Sequence, residues 1–357
     1  MNERYKKVLI KPNVCIREAL KQMNEASLQI LIVINKKNRI VGVVTDGDIR
    51  RSIMKNLPFE DPIEHIMNKN PITLKFPPKK AEALELMKKY SIKHIPVIDE
   101  KREVVDIVLW SDFFNDGNVE YPSKDIPVVI MAGGKGSRLD PFTKILPKPL
   151  VPIGDKPIIE LIMERFNKYG FNRFIISLNY KGGMIKNYFS ENQKNHNIEY
   201  TEEKEFLGTA GALTLMKDKL QGTFLISNCD IITDVNFDSL LNYHKEHKNK
   251  ATILAIIRNV KIPYGVLKVQ NGDLEKIIEK PEYSFIINSG IYVLEPDIIK
   301  LIPKETPIDM TDLLALAKEK EMKVSVYPVN SSWFDIGEWE EYRKAANFIN
   351  NREMENF

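Results

Sequence analysis

The sequence predicts two domains, a small α+β module built from an internal repeat and a larger α/β domain with a mostly parallel sheet. Three observations support this. Residues 1–117 resemble themselves at an offset of 64 positions. The polar stretch DGNVEYPSKD then interrupts the pattern. From residue 126 onward, apolar runs alternate with amphipathic segments, as in a sheet covered by helices on both faces. We therefore predict the module at 1–117, a linker at 118–125 and the larger domain at 126–357.

The composition is that of a globular protein, with 43% hydrophobic and 28% charged residues among 357. A net charge of +3 gives no reason to expect a nucleic-acid or membrane partner. Cys15 and Cys229 are too few for a zinc cluster or a disulfide framework. Neither a signal peptide nor a membrane span is visible. We expect a soluble, cytoplasmic protein.

Among the histidines, His244 and His247 could share one helix face. Lysines surround both of them, which favours a solvated surface over a metal site.

The repeat in residues 1–117 needs no gap. A shift of 64 positions superimposes the following pairs: Ala19 and Ala83, Leu20 and Leu84, Met23 and Met87, Val33 and Val97, Ile34 and Ile98, Val44 and Val108, Asp48 and Asp112. Each copy predicts an amphipathic helix, a strand, a polar turn and a second strand. The copies, at about 1–57 and 62–117, are each too small for a secure core. We expect them to pack face to face as a pseudo-symmetric pair.

This architecture resembles tandem CBS domains, and GVVTDGDIR at 42–50 is similar to that family's terminal strand and helix start. The resemblance implies that Thr45 and Asp48 contact the phosphates and ribose of a bound adenine nucleotide. Asp48 near a helix start could equally be an N-capping carboxylate, and both interpretations stay open.

The second copy departs from this pattern. It keeps Asp112, but Asp106 replaces Gly42, and Leu109 and Trp110 put bulky groups where a nucleotide would lie. A structural or dimerising module is therefore an alternative to a regulatory one, and we expect a homo-oligomer.

The stretch VVIMAGGKGSRLDPFTKILPKPL, at 128–150, predicts a buried strand that empties into a phosphate-binding loop. Its glycines allow backbone N–H groups to converge on an anion, and Arg138 and Lys148 add positive charge. The residue order does not fit Walker A, and the dinucleotide pattern Gly-x-Gly-x-x-Gly ends on Leu139 instead of glycine.

Three later stretches carry candidate site residues. LGTAG at 207–211 precedes a predicted helix, where small residues permit close approach and a helix start leaves free donors; an ordinary helix start capped by Thr209 is the alternative. Asp230 follows an apolar strand, and Asp335 lies in the late WFDIG stretch. Two carboxylates together with nucleotide phosphates are a usual magnesium site.

The glycine-rich loop followed by PKPL resembles the signature of sugar-1-phosphate nucleotidyltransferases, which make NDP-sugars. The resemblance implies a Rossmann-like, GT-A-like fold and magnesium bound by Asp230 and Asp335. It assigns the chemistry to Arg138, Lys148, Asp230 and Asp335. It assigns nucleotide binding to Ala132, Gly133, Gly134, Gly136, Ser137, Gly208, Thr209 and Gly211. It assigns sugar-phosphate binding to Glu279, Lys280, Asn288 and Gly290.

The domain combination resembles bacterial enzymes that charge glucosamine 1-phosphate with GTP in legionaminic acid synthesis. More broadly, it resembles mannose- and heptose-1-phosphate guanylyltransferases. We therefore expect GTP and a sugar 1-phosphate as substrates, glucosamine 1-phosphate first. A catalytically inactive adenine-nucleotide sensor or partner subunit is the alternative, and the complete set of charged site residues argues against it.

In the larger domain we predict strands at 128–131, 174–178, 224–227, 251–257 and 286–293 and helices at 157–168, 209–217, 237–248 and 311–320.

Overall fold

The structure, a computed structural model, describes residues 3–26, 28–90, 92–113, 121–191, 197–303 and 306–355. The chain forms two compact units. The repeat unit comprises Met1–Val119, Ile257–Ile286 and Pro328–Asn330, and the sheet unit comprises Glu120–Ile256, Ile287–Tyr327 and Ser331–Phe357. Residues 118–120 of the predicted linker lie outside the described residues.

The N-terminal part of the repeat unit contains two three-stranded sheets of identical connectivity, each with one parallel and one antiparallel pair. The strands are β1 Leu9–Ile10, β2 Ile30–Ile34, β3 Ile40–Thr45, β4 Leu74–Lys75, β5 His94–Ile98 and β6 Val104–Leu109. The helices are α1 Ile16–Glu25, α2 Asp46–Met54 and α3 Lys80–Tyr90.

Backbone pairing confirms the predicted repeat. Ile30 lies opposite Thr45 in the first sheet, and His94 lies opposite Leu109 in the second, at the same offset of 64. The turns match as well. The side-chain oxygens of Asn35 and Asp99 each accept hydrogen bonds from the N–H groups two and four residues later.

The two copies are related by an approximate two-fold axis. Arg39 and Glu103, which are equivalent residues, form an antiparallel bridge with each other, as only a two-fold relation permits. The copies also share apolar packing, since Ile107 and Leu109 belong to the same buried cluster as Ile32.

The rest of the chain contributes strands β7 Lys124–Ala132, β8 Pro152–Ile153, β9 Lys156–Pro157, β10 Phe171–Leu178, β11 Asn197–Glu202, β12 Phe224–Asn228, β13 Ile231–Thr233, β14 Ala251–Lys261, β15 Val266–Gln270, β16 Asp273–Ile278, β17 Glu282–Leu294, β18 Val324–Val329 and β19 Trp333–Asp335. The helices are α4 Phe142–Ile145, α5 Ile158–Asn167, α6 Gly182–Glu191, α7 Gly208–Gly211, α8 Phe237–Glu246, α9 Met310–Glu319 and α10 Trp339–Glu355.

A seven-stranded sheet forms the centre of the sheet unit, in the order β11-β10-β7-β12-β17-β14-β18. Strands β11, β10, β7 and β12 pair in parallel, and β17 is antiparallel to β12. Val128, Val129 and Ile130 of β7 are completely buried, because helices cover both faces of a parallel sheet. The predicted mostly parallel fold is confirmed.

Two predictions differ from the structure. The helix predicted at 209–217 is a single turn, α7, followed by the 3-10 helix Ala212–Lys219. Its glycines have poor helix propensity, and a Cβ on Gly208 would lie only 2.5 Å from the Ile308 carbonyl oxygen, so this segment packs on backbone. His244 is only 1% exposed instead of solvated, because Thr252 and Glu295 satisfy its ring nitrogens at 2.8 and 3.1 Å.

Strands β14 and β17 continue from the seven-stranded sheet into the repeat unit, where the hairpin β15–β16 joins them. Ile257 of β14 is buried in the core cluster of the first repeat copy. Within the described part of the chain, no helix is long and apolar enough to span a membrane.

Candidate active site

The glycine loop after β7 folds tightly around a lysine side chain. Gly136 has φ +66°, and a Cβ there would lie 2.8 Å from the Cβ of Lys148. The Gly136 carbonyl accepts hydrogen bonds from Leu139 N and Thr143 Oγ1, each at 3.0 Å. Gly136 is therefore required both by its left-handed backbone and by its contact with Lys148.

Lys148 begins a short 3-10 helix after Pro147 and is only 7% exposed. Its ammonium group forms an ion pair with Asp230 Oδ2, although the two residues are 82 positions apart in the chain. The structure thus joins the basic and the acidic part of the predicted site.

Asp230 and Asp335 are brought together by a two-stranded sheet. β13 and β19 pair antiparallel with Ile231 opposite Asp335. The Ile336 N–H donates to the Asp230 carbonyl oxygen at 2.9 Å. Backbone pairing therefore fixes the two carboxylates beside each other.

The electrostatics of this pair are unfavourable without a ligand. Burial raises the pKa of Asp335, and the neighbouring negative charge of Asp230 raises it further. The Oδ1 atoms of Asp230 and Asp335 are buried and have no hydrogen-bond partner among the described residues. Unsatisfied buried carboxylate oxygens are costly to a fold, so they indicate a place kept for a ligand.

Arg138 supplies a second cation here. A Cβ on Gly337 would lie 3.2 Å from both Arg138 Nη2 and Asp335 Oδ1, so glycine leaves room for the guanidinium beside the carboxylate. Arg138 also forms an exposed ion pair with Glu338, at 3.7 Å between Nη1 and Oε1.

The donor set fits a hard divalent cation such as Mg²⁺, which takes few protein oxygens and keeps water or phosphate as its other ligands. The described residues contain no cluster of three or more His, Cys, Asp or Glu side chains able to hold a metal. Asp230 and Asp335 would therefore hold the ion together with substrate oxygens.

The LGTAG segment differs from expectation, because its backbone donors are already used. Thr209 N donates to Asp309 Oδ1 at 3.0 Å, and the N–H groups of Ala210 and Gly211 both donate to the Ile308 carbonyl at 3.0 and 3.2 Å. Instead of capping its own helix, Thr209 Oγ1 accepts a 2.8 Å bond from Met310 N. A nucleotide-binding role for Gly208, Thr209 and Gly211 stays a prediction.

Glu203 is a buried residue next to the glycine loop that the sequence analysis did not single out. It is 7% exposed, and its two carboxylate oxygens accept hydrogen bonds from Ser177 Oγ at 2.9 Å and Leu207 N at 3.1 Å. A Cβ on Gly133 would lie 3.0 Å from Glu203 Oε1, so this carboxylate links the glycine loop to LGTAG. In the sequence it is hidden within the charged run TEEKE, which reads as solvated surface.

Other predicted nucleotide-binding residues lie along the same loop. Ala132 ends β7 and is buried, a Cβ on Gly134 would meet open space, and Ser137 begins the 3-10 helix that carries Arg138.

The predicted sugar-phosphate residues fall in different units. Asn288 and Gly290 lie on β17 in the sheet unit, where a Cβ on Gly290 would lie 2.7 Å from Asn228 Nδ2. Glu279 and Lys280 lie in the repeat unit, just after β16. Their role in binding a sugar phosphate stays a prediction.

The predicted regulatory residues are engaged in folding contacts. Thr45 N donates to Asp48 Oδ2 at 2.8 Å, and Asp48 N donates to Thr45 Oγ1 at 3.3 Å, which makes a reciprocal capping box. Asp48 also pairs with Arg51. In the second copy, Asp112 accepts a bond from Leu109 N at 2.8 Å and pairs with Arg4.

Comparisons with known proteins show which families the two parts of the chain match. Residues 127–352 match the nucleotidyl transferase family, and residues 8–55 and 63–116 each match the CBS domain. A probable mannose-1-phosphate guanylyltransferase of Oryza sativa subsp. japonica is 33% identical over 226 residues, covering 60% of this chain and 62% of the relative. The mannose-1-phosphate guanyltransferase of Saccharomyces cerevisiae is 33% identical over 222 residues, covering 59% of this chain. The chain thus spans under two thirds of these relatives' length, 62% and 61%.

A solved structure of HddC from Yersinia pseudotuberculosis is 27% identical, with a TM-score of 0.51, and covers 63% of this chain and 99% of its own. The same protein has been solved in complex with GMP-PN.

Proposed function

The chain belongs to the nucleotidyl transferase family, and we propose that it is a sugar-1-phosphate guanylyltransferase that converts GTP and an aldose 1-phosphate into a GDP-sugar and pyrophosphate. The observation that supports this most strongly is the half-buried pair Asp230 and Asp335, each with a buried oxygen that lacks a partner among the described residues, set beside Lys148 and Arg138. Two carboxylates beside two cations suit a metal and a polyphosphate.

Guanine is the base that the comparisons favour. Relatives about one third identical are named mannose-1-phosphate guanylyltransferases, and HddC has been solved with GMP-PN. These names favour mannose 1-phosphate as the acceptor. The domain combination led us to expect glucosamine 1-phosphate, for cell-surface glycan or legionaminic acid synthesis, and we keep it as the second acceptor to be tested.

In the proposed mechanism, a phosphate oxygen of the sugar attacks the α-phosphorus of GTP in line, and the bond to the leaving pyrophosphate breaks. The attacking phosphate is already an anion, so no general base is needed. Lys148 neutralises the nucleotide phosphates, Arg138 holds the departing pyrophosphate, and Lys280 binds the incoming sugar phosphate. Catalysis consists of positioning and charge neutralisation.

Asp230 and Asp335 would hold Mg²⁺, which when bound supplies Lewis-acid stabilisation of the charge on the transferred phosphate. The chain's own contribution is to hold both carboxylates beside each other by pairing β13 with β19.

The test is a matrix of four NTPs against mannose, glucosamine, glucose and heptose 1-phosphates with Mg²⁺, read as pyrophosphate release. We expect GTP with one acceptor to respond. A response confined to another NTP would contradict the guanylyltransferase assignment. Silence across the matrix would favour the alternative, an inactive sensor subunit.

In the same assay, Asp230→Asn should lower turnover by about 10² to 10³, the usual cost of removing one charge-stabilising group. Retention of more than about a tenth of wild-type activity would contradict the role of Asp230 as a metal ligand.

An adenine nucleotide at the repeat pair, contacting Thr45, Asp48 and Asp112, remains a separate proposal. The CBS match supports it, whereas the capping contacts of these residues supply a role in folding without a ligand. Calorimetric titration of AMP, ATP and GTP into the full chain tests it, and heat from AMP or ATP that Asp48→Ala abolishes would support it.

A further inference from the structure

One arginine of the first repeat copy contacts both strands that leave the central sheet. Arg17 Nε donates to Ser284 Oγ on β17 at 2.9 Å, and Ser284 Oγ donates to Asn259 Oδ1 on β14 at 2.7 Å. Glu60 fixes the same guanidinium through Nη2 at 2.5 Å. These residues all belong to the repeat unit, so the contact lies inside one compact body.

The same face of helix α1 holds a second segment. Residues 17, 20 and 24 follow helical spacing and line one stripe of the helix. Asn24 Nδ2 donates to Asn330 Oδ1 at 2.8 Å, and Asn330 Nδ2 donates to the Leu20 carbonyl at 3.2 Å. Asn330 stands five positions before Asp335 in the chain.

This stripe is specific to the first copy. At the equivalent positions of the second copy, 64 residues later, Ala81 replaces Arg17 and Lys88 replaces Asn24. The turns and strand registers of the two copies match, so this difference lies in the side chains of the helix, where the first copy has the arginine that contacts Ser284 of β17.

Strand β17 begins two residues after Lys280, and Ile262 N donates to the Pro281 carbonyl at 2.9 Å, which closes the arm formed by the ends of β14 and β17. Lys280 N in turn donates to the Tyr264 carbonyl at 3.2 Å. A short, hydrogen-bonded ribbon therefore connects Ser284 with Lys280.

We propose that Arg17 is a positioning residue for the acceptor substrate: through Ser284 and Asn259 it sets the arm that carries Glu279 and Lys280. The first repeat copy then serves as part of the scaffold that holds Glu279 and Lys280, whether or not the repeat pair binds a ligand. This inference rests on the proposed function, in which Lys280 binds the sugar phosphate.

The kinetic test compares Arg17→Ala and Ser284→Ala with wild type. Each should raise KM for the sugar 1-phosphate about tenfold, the value of one charge-assisted hydrogen bond, and leave KM for GTP within about twofold. Ser284→Thr keeps the hydroxyl and should restore the wild-type KM. Lys88→Ala, on the matching face of the second copy, is the control and should change nothing.

A double-mutant cycle adds a second criterion. Because Arg17 and Ser284 act through one bond, the double variant should be no worse than either single variant. Equal effects on both KM values, or additive losses, would overturn the proposal, since a general loss of folding does not select one substrate.

Hydrogen exchange separates this inference from the proposed function, because it needs no turnover. Arg17→Ala should speed amide exchange in 257–262 and 281–286 by about tenfold or more, whereas Lys88→Ala should not. If no substrate pair is turned over but exchange changes as stated, the function is wrong and the positioning contact stands. Unchanged exchange in Arg17→Ala would overturn the positioning role.

Discussion

Two pairs of aspartates near strand ends differ in the partners of their carboxylate oxygens. In the repeat unit, Asp48 and Asp112 accept backbone hydrogen bonds and each pair with an arginine. In the sheet unit, Asp230 and Asp335 each retain a buried oxygen with no partner among the described residues. In the first pair both carboxylate oxygens make folding contacts. In the second pair Asp230 Oδ2 binds Lys148, but one oxygen of each carboxylate makes no such contact. Hydrogen-bond partners therefore distinguish these two pairs, which residue type and position do not.

The largest effect is expected for Asp335→Asn. Removal of one metal-binding charge should lower turnover by about 10² to 10³. Because the pKa of Asp335 is raised in the folded state, its ionised form opposes folding at neutral pH, so the variant should be as stable as wild type or more stable. Pyrophosphate release and urea denaturation at pH 7 measure the two quantities. If the variant loses stability together with activity, Asp335 has a structural role like that of Asp48 and Asp112.

Gly136→Ala tests whether the glycine loop after β7 needs glycine at this position. A Cβ at φ +66°, 2.8 Å from the Cβ of Lys148, should cost about 1 to 3 kcal/mol and displace the lysine. We expect a lower melting temperature together with a higher KM for the nucleotide. Gly134→Ala is the matched control, because a Cβ there would meet open space. Equal behaviour of the two variants would refute the packing argument.

His94, in the repeat unit, should make the free energy of unfolding depend on pH. Burial lowers its pKa to about 4 in the folded state, against an ordinary 6.5. Between these pH values His94 is protonated in the unfolded chain but not in the native state. The contribution of neutral His94 to the free energy of unfolding is therefore complete above pH 6.5. It falls by up to about 1.4 kcal/mol per pH unit down to about pH 4. His94→Leu should flatten this slope in urea titrations at several pH values. His244, whose pKa is also lowered, stays in both proteins.

Asp48→Ala should have the smallest effect. Loss of the capping box costs about 1 kcal/mol of unfolding free energy, while kcat per folded molecule should not change. Denaturation and initial rates measured on the same preparation check this. A fall in kcat without a change in stability would contradict this structural role of Asp48.

The sequence predicted what depends on local pattern. The repeat and the strand β7 with its glycine loop follow from short motifs in which residue type and spacing are decisive, and the same kind of motif singled out Lys148, Asp230 and Asp335 as candidates. The structure adds how distant segments meet, and β13 pairing with β19 is the clearest case because both strands have only three residues.

The remaining residues were hidden by their surroundings in the chain. His244 lies among lysines and Glu203 among other charges, yet both are buried because long-range partners satisfy them. The hairpin β15–β16 exposes apolar residues, including Leu267 and Ile277. Its strands do not alternate between a buried and an exposed face, and such alternation is what a sequence pattern can predict. Residue composition within a few positions carries no information about such tertiary contacts.

The buried position of Ile257 has a consequence for how this protein can be divided. This residue, 6% exposed, belongs to the core of the first repeat copy although it lies more than a hundred positions after the repeat ends. A truncation that removes residues 1–117 would leave an apolar surface on the remaining chain and invite aggregation. The repeat unit is thus not one contiguous stretch of chain, and exchanging it as an independent domain would require cutting the chain at five places.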